Sequence, residues 1–159
     1  MKKLLAILMI LVLTVSFAVA EDDNNMDIGL RGGLRSGITG RLWMENNAIE
    51  ALITFRGSGV ILTGLYEWHK PLAIGELEGL SWYFGGGAHL GYYSRGDWAT
   101  IGNSDFALGI DGVVGIEYDL EQHINFPLSV SLDYKPGFDI IGGWAGHFGD
   151  AAFAVRWDF

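Results

Sequence analysis

The chain has 159 residues, of which 50% are hydrophobic, and its 19 acidic against 10 basic side chains give a net charge of −9 at pH 7. This length fits a single domain, and the acidic balance argues against a nucleic-acid partner, which would require a basic face. Cysteine is absent, which excludes both a disulfide framework and a lipid anchor on cysteine.

The N-terminus has the pattern of a cleavable secretory signal peptide over residues 1–20. Two lysines precede an apolar stretch from Leu4 to Val19, and small residues at the end of this stretch predict cleavage after Ala20. The alternative is an N-terminal membrane anchor, but a spanning helix needs roughly 20 apolar residues and this stretch is shorter. Residues 21–26 then form an acidic leader, and the folded domain is expected to cover 27–159.

Behind the leader, hydrophobic and polar residues alternate in eight segments that are separated by turn signals. Such alternation is typical of β-strands, because successive side chains of a strand point to opposite faces. The first two segments are shorter than the roughly 9 to 11 residues that span a bilayer, unless they extend into 34–37. The predicted strands cover 27–33, 38–44, 48–56, 60–69, 81–93, 107–120, 128–135 and 151–159.

Two long connections are the predicted contact surfaces of the domain. They cover 94–106 and the Gly-rich segment 136–150, and they expose Trp98, Trp144 and His147. Loops on a rigid scaffold commonly carry function. Tryptophans in such loops also serve as anchors at a membrane interface, so both interpretations remain open.

One parity of nearly every strand carries bulky aliphatic and aromatic side chains, and the other mixes glycine, serine and both signs of charge. A soluble barrel would turn the apolar parity inward, whereas a membrane barrel turns it toward lipid. An eight-stranded barrel is just wide enough for side chains to fill its interior, which suits small residues and paired charges. The charges assigned to the lumen are Arg31, Arg41, Glu50, Arg56, Glu67, Asp111, Glu117, Asp119, Asp133, Lys135 and Arg156.

The predicted fold is therefore all-β, an eight-stranded antiparallel up-and-down transmembrane β-barrel. Only helices and closed barrels satisfy every backbone group in lipid, and no apolar run after the signal peptide approaches the length of a spanning helix. With the N-terminus in the periplasm, aromatic residues near the strand ends predict a girdle at the periplasmic interface. It comprises Tyr66, Trp68, Trp82, Phe84 and Tyr118, with Trp157 and Phe159, and an outer girdle comprises Phe55, Tyr92, Tyr134 and Phe153.

The last strand places Trp157 and Phe159 on its apolar face and ends on the aromatic residue. This ending resembles the C-terminal assembly signal of bacterial outer-membrane barrels. Five segments together resemble a family of small, Gly-rich outer-membrane β-barrel proteins of Gram-negative bacteria, similar in architecture to the OmpA and OmpX type barrels. These segments are Arg31–Gly40, Leu62–Pro71, Gly79–His89, Gly109–Tyr118 and Leu128–Pro136.

The resemblance implies a porin-like fold in the cell outer membrane, with outer-membrane lipids and the barrel assembly machinery as partners. It implies no biochemical activity. Barrels of the lipid A deacylase type pair a histidine with a serine two residues on, and none of the four histidines has that neighbour. A triad of His89 with Ser81 or Ser129 stays open, because triads are defined by geometry. The histidines stand singly, without ligand spacing, so we expect no metal and no cofactor.

The inward charges permit two interpretations. Ionisable groups at membrane depth are candidates for a proton or ion path, and the alternative is a salt-bridged plug, which mixed signs at this diameter favour. The expected partners are Asp133 with Lys135, and Glu117 with Arg156 or Arg31. We predict a closed lumen and a structural or surface-interaction role rather than an enzyme. The alternatives are a lipid-modifying outer-membrane enzyme and a secreted soluble barrel that binds an apolar ligand.

Overall fold

The computed structural model describes residues 26–56, 59–74, 78–92, 106–121, 126–141 and 147–159. The predicted signal peptide and the loop residues Trp98 and Trp144 lie outside the described residues. The strands are β1 (Met26–Gly33), β2 (Ser36–Met44), β3 (Asn47–Arg56), β4 (Gly59–Pro71), β5 (Leu80–Tyr92), β6 (Phe106–Asp119), β7 (Leu128–Ile141) and β8 (His147–Asp158).

The eight strands form one closed barrel in chain order. Each strand pairs antiparallel with the next, and β1 pairs with β8 from Asp27 opposite Asp158 to Gly33 opposite Ala152. The backbone N–H of Phe159 donates to the carbonyl of Met26 at 2.9 Å, so both described chain ends meet at one end of the barrel, which we call the terminal end. Closure leaves no free sheet edge. The predicted closed, eight-stranded, up-and-down barrel is confirmed.

Tight connections at β1–β2 and β2–β3 shape the first part of the barrel. Leu34 and Arg35 join β1 to β2, so β2 begins at Ser36, inside the predicted connection. The turn after β2 contains Glu45 with a φ of 58°, in the left-handed region that tight hairpin turns require. Met26, assigned to the leader, is the first residue of β1. Within the described ranges, no helix is long and apolar enough to cross a membrane.

The pleat of each strand turns its apolar parity to the outside. In β4, burial alternates residue by residue from Gly59 to Lys70. Every strand exposes at least one large apolar side chain on the outer surface, and we call this surface the outer belt. One representative per strand, each between 42% and 55% exposed, is Ile28, Ile38, Ile49, Val60, Leu90, Ile110, Leu132 and Phe153.

Among the described residues, the inside of the barrel is mostly polar, with two small apolar clusters. One comprises Leu52, Leu65, Tyr83 and Val113, and the other Ile61 and Ala107. Glycines on the inward parity make room for large side chains of other strands. The ring of Tyr83 lies where a Cβ at Gly115 would be, so any side chain at 115 would displace that ring. Small and large inward residues therefore complement one another, as a narrow barrel requires.

The predicted Gly-rich loop over 136–150 is wrong. β7 continues through Pro136 to Ile141, and β8 begins at His147. The strand pairing between β7 and β8 shifts register at Pro136, and an irregularity of this kind tolerates a residue without an N–H donor. On the partner strand, Gly149 has a φ of 72°, which is a conformation that glycine adopts without strain.

Candidate functional site: the charged lumen and the aromatic girdle

The most deeply buried charges form a cluster around Arg41 and Arg156, whose side chains are fully buried inside the barrel. Arg156 Nη2 donates to Glu50 Oε1 at 2.5 Å, and its Nη1 donates to Ser131 Oγ at 2.7 Å. Arg41 Nη1 donates to Glu117 Oε2 at 2.7 Å. The same oxygen accepts from Arg156 Nη1 at 3.3 Å, so Glu117 links the two arginines.

Further groups complete this cluster. Thr39 Oγ1 donates to Glu50 Oε1 at 2.5 Å. Glu67 Oε2 lies 3.5 Å from Arg41 Nε, and Asp27 Oδ2 lies 3.8 Å from Arg41 Nη1. Arg41 thus faces carboxylates from three strands besides its own, β1, β4 and β6. Pairing of this density compensates much of the cost of removing the charges from water.

A second cluster centres on Arg31. Its Nη1 donates to Asp133 Oδ2 at 2.6 Å, and its Nη2 lies 3.6 Å from Asp150 Oδ2. The hydroxyl of Tyr83 donates to Asp133 Oδ2 at 3.2 Å. The expected pair of Asp133 with Lys135 is therefore wrong. These two side chains leave β7 on the same face, and each reaches a different strand.

A third cluster lies near the end of the barrel opposite the terminal end. His89 Nδ1 is 2.7 Å from Asp111 Oδ2, and its Nε2 is 2.8 Å from Asp139 Oδ1. Lys135 Nζ donates to Asp111 Oδ1 at 3.2 Å. Because a neutral imidazole has only one N–H, donation to both carboxylates requires the imidazolium form of His89.

The geometry does not assemble the candidate triad of His89 with Ser81 or Ser129. Ser81 lies eight positions along β5 from His89, which corresponds to roughly 26 Å. Both serines line a cavity at the terminal end, whereas the two ring nitrogens of His89 face carboxylates elsewhere.

The cavity at the terminal end has a volume of about 700 Å³ and opens to the outside. Trp43 lines it and donates from Nε1 to Asp27 Oδ2 at 2.7 Å. The half-buried Asp119, predicted to lie in the lumen, is part of its wall. Among the residues that the structure describes, no group of three or more histidine and acidic side chains is arranged to hold a metal ion. The acidic residues of the lining are Asp27, Glu45, Glu117, Asp119, Glu121 and Asp158.

Aromatic rings form a continuous row on the outside of β4 and β5, toward the terminal end. Ring centroids are 4.9 Å apart for Tyr66 and Trp68, 5.5 Å for Trp68 and Phe84, and 5.3 Å for Trp82 and Phe84. Tyr118 of β6 faces the same side of the sheet, opposite Leu80. These five predicted girdle residues therefore occupy neighbouring strands on one side of the barrel.

The predicted assembly residues Trp157 and Phe159 are exposed on the outside of the barrel, at the terminal end. Trp157 contacts Phe126, with ring centroids 4.9 Å apart, and Phe126 was not assigned a role from the sequence. Phe126 lies in a connection rather than in a strand, so no alternation of side chains indicated its role.

Most of the predicted lumen charges are buried inside the barrel, while the side chain of Arg56 lies outside the described part. The expected contact of Glu117 with Arg156 is present. The expected alternative contact, with Arg31, is not formed, because Arg31 reaches Asp133 instead. Sequence reasoning missed four buried charges, Asp27, Arg35, Asp139 and Asp150. Asp27 shares the parity of Arg31 and could have been found, whereas Asp139 and Asp150 fall in the segment wrongly predicted to be a loop.

The fold and its interior define the chain as a closed eight-stranded antiparallel β-barrel with buried ion pairs. No family model and no curated protein matches the sequence. Among solved structures, the crystal structure of Neisserial surface protein A is similar to this chain. The TM-score is 0.48 and the sequence identity 11%, over 86% of this chain and 94% of that chain.

Proposed function

We propose that this protein is a small integral outer-membrane β-barrel with a closed, charge-filled lumen, and that its role is structural or in surface interaction rather than catalysis. The observation that carries the proposal is the sidedness of the barrel. Its outer belt is apolar around the whole circumference, while its arginines and carboxylates are inside. In water the apolar outer belt would be unfavourable, whereas lipid satisfies it, and pairing stabilises the charges inside.

The outer belt supports lipid as the surrounding solvent. Soluble monomers rarely expose contiguous apolar patches larger than a few hundred Å². Here large apolar side chains of all eight strands are exposed, including Leu30, Ile110 and Leu132, which are each more than half exposed. A soluble barrel that binds an apolar ligand would place these side chains inside. In the described part of the barrel, the buried charges leave only two small apolar clusters inside, one around Leu52 and Tyr83 and one of Ile61 with Ala107.

The ion pairs support a closed lumen. Arg41 on β2 reaches Glu117 on β6, and Arg156 on β8 reaches Glu50 on β3, so both side chains cross the space through which ions would pass. An eight-stranded barrel has just enough room for such side chains. Purified folded protein in a planar bilayer is therefore expected to conduct almost nothing, and a steady, large ohmic conductance would refute the closed lumen.

Membrane location is tested by separating cells into soluble, inner-membrane and outer-membrane fractions, with the mobility of the folded protein compared before and after boiling. We expect the protein in the outer-membrane fraction, with a shift in gel mobility on heating. Recovery of folded protein in the soluble fraction would favour the secreted barrel. Incubation with lipopolysaccharide and phospholipids tests the enzymatic alternative, and a product that is lost in His89→Ala would overturn the non-catalytic role.

A further inference from the structure

Lys70 differs from the other described basic side chains in its position. The side chains of Arg31, Arg41 and Arg156 are buried inside the barrel, as are those of Arg35 and Lys135. Lys70 is exposed, and it is the only exposed one among the lysine and arginine side chains that the structure describes. No carboxylate of the described residues forms an ion pair with it. Lys70 also lies in the lining of the cavity at the terminal end, so its ammonium group stands where the acidic cavity meets the apolar outer belt.

Aromatic rings hold Lys70 in place. Its Nζ lies 5.9 Å from the ring centroid of Trp82 and 5.8 Å from that of Phe84, which is within the range of a cation–π contact. Lys70 is opposite Trp82 in the pairing of β4 with β5, and Trp68 is opposite Phe84. The ammonium group thus lies beside the aromatic row and not over open solvent.

The depth of Lys70 matches the headgroup region of a membrane. It lies two residues beyond Trp68 on the same face of β4, which places it about 7 Å nearer the terminal end. Aromatic girdles of membrane barrels lie at the boundary between hydrocarbon and headgroups. A lysine just beyond such a girdle extends its ammonium group toward lipid phosphates while its carbon chain covers apolar surface.

We propose that Lys70, Trp68, Trp82 and Phe84 form a binding site for the headgroup of an anionic phospholipid. The ammonium group donates to the phosphate, the rings flank the glycerol region, and the acyl chains lie on the outer belt. The carboxylates that line the terminal cavity repel anionic headgroups, and Lys70, in the same lining, is the exposed cation that attracts them to the side of the aromatic row. The proposal deepens the proposed function and rests on the membrane location stated there.

Brominated lipids test the site, because bromine quenches tryptophan fluorescence on contact. The reporter is a variant that keeps Trp68 and has phenylalanine at the other tryptophan positions, so that position 82 of the site retains an aromatic ring beside Lys70. The matched control keeps Trp157, which is also exposed near the terminal end but has no lysine or arginine beside it on the outer surface among the described side chains, because Arg156 points into the barrel. Both are reconstituted in vesicles that contain either brominated phosphatidylglycerol with plain phosphatidylcholine, or the reverse. Their fold is checked by the heat-dependent gel shift.

At Trp68 we expect phosphatidylglycerol to be preferred over phosphatidylcholine by about fivefold, the ratio that corresponds to about 1 kcal/mol for one basic side chain near anionic lipid. Lys70→Gln should remove the preference and Lys70→Arg should keep it, while Trp157 should show none with either residue at position 70. Equal quenching by both lipids at Trp68, or a preference that survives Lys70→Gln, would overturn the site.

Two further readouts separate the remaining explanations. Quenching of neither tryptophan by either lipid would contradict membrane insertion itself, and so the proposed function rather than the site alone. Loss of the preference on addition of inorganic phosphate, but not of sodium chloride at the same ionic strength, would show a site for a free anion and would overturn a site specific for lipid. Native mass spectrometry of protein with all its tryptophans provides a second measurement. Lys70→Gln should release phosphatidylglycerol that the unmodified protein retains, and equal retention would count against the site.

Discussion

Replacing Arg156 by methionine should lower the free energy of unfolding by about 3 to 5 kcal/mol, the cost of removing one partner from a buried charge pair. The Arg156 guanidinium is fully buried and contacts Glu50, Ser131 and Glu117 at 2.5, 2.7 and 3.3 Å. Methionine retains much of the volume but none of the donors. The loss is therefore electrostatic rather than a matter of packing.

The size of this loss in stability depends on the contacts that Glu117 and Glu50 retain after Arg156 is replaced. Glu117 keeps its bond from Arg41, so it stays paired. Glu50 loses its direct ion pair and keeps the hydroxyl of Thr39, a hydrogen bond with Glu67 and the more distant charge of Arg41. Removing that charge as well, in Arg156→Met combined with Glu50→Gln, should recover part of the loss. We expect a coupling energy of about 0.5 to 3 kcal/mol between the two substitutions.

Urea unfolding in phospholipid vesicles, followed by tryptophan fluorescence and by heat-dependent gel mobility, measures these free energies. Val155→Met is the matched control, because Val155 precedes Arg156 on the same strand and faces outward. It should change stability by less than about 1.5 kcal/mol. The reasoning is refuted if Arg156→Met is no more destabilising than the control, or if Glu50→Gln makes the arginine variant worse by its full separate cost.

Leu132→Arg should cost about 2 to 4 kcal/mol in vesicles, because Leu132 faces outward and is 55% exposed. A lipid-restricted quencher should reach a probe at position 132 but not at the inward-facing Ser131, and the opposite result would reverse the sidedness. Deletion of Phe159 removes both the N–H contact at the barrel seam and the terminal aromatic side chain, so it should leave the protein in the periplasm; an unchanged yield in the outer membrane would contradict this. Gly115→Val should destabilise the barrel by displacing the ring of Tyr83, and Tyr83→Ala should relieve part of that cost in the double variant.

The alternation of side chains was sufficient to predict the strands and their sidedness wherever it ran unbroken. β4 and β6 were located to within about two residues at each end, an ordinary boundary error for such patterns. The predicted seventh strand ended too early, at Lys135, because proline at position 136 normally interrupts a strand. The structure accommodates this proline at a register shift, and sequence gives no sign of a bulge in the partner strand.

The contacts inside the lumen were only partly predictable. Parity decides which charges face inward, but the partner of each charge depends on how the strands are staggered around the barrel. Arg31 and Asp133 are 102 positions apart in sequence, yet their side chains meet at 2.6 Å inside the barrel because β1 and β7 are separated only by β8. By contrast, Asp133 and Lys135 are close in sequence, yet their side chains reach in different directions.

The inward charges would also affect how the unfolded chain crosses the inner membrane. To reach an outer membrane, the unfolded polypeptide must first cross the inner membrane, where a long apolar segment would stop as a helix. An aspartate, lysine or arginine near the centre of a candidate helix costs about 2.5 to 3.5 kcal/mol in insertion. β6 carries Asp111 and Glu117 at its inward positions, and β7 carries Asp133 and Lys135. Before the barrel folds, these charged groups are unpaired. They would then prevent β6 and β7 from inserting into the inner membrane as helices.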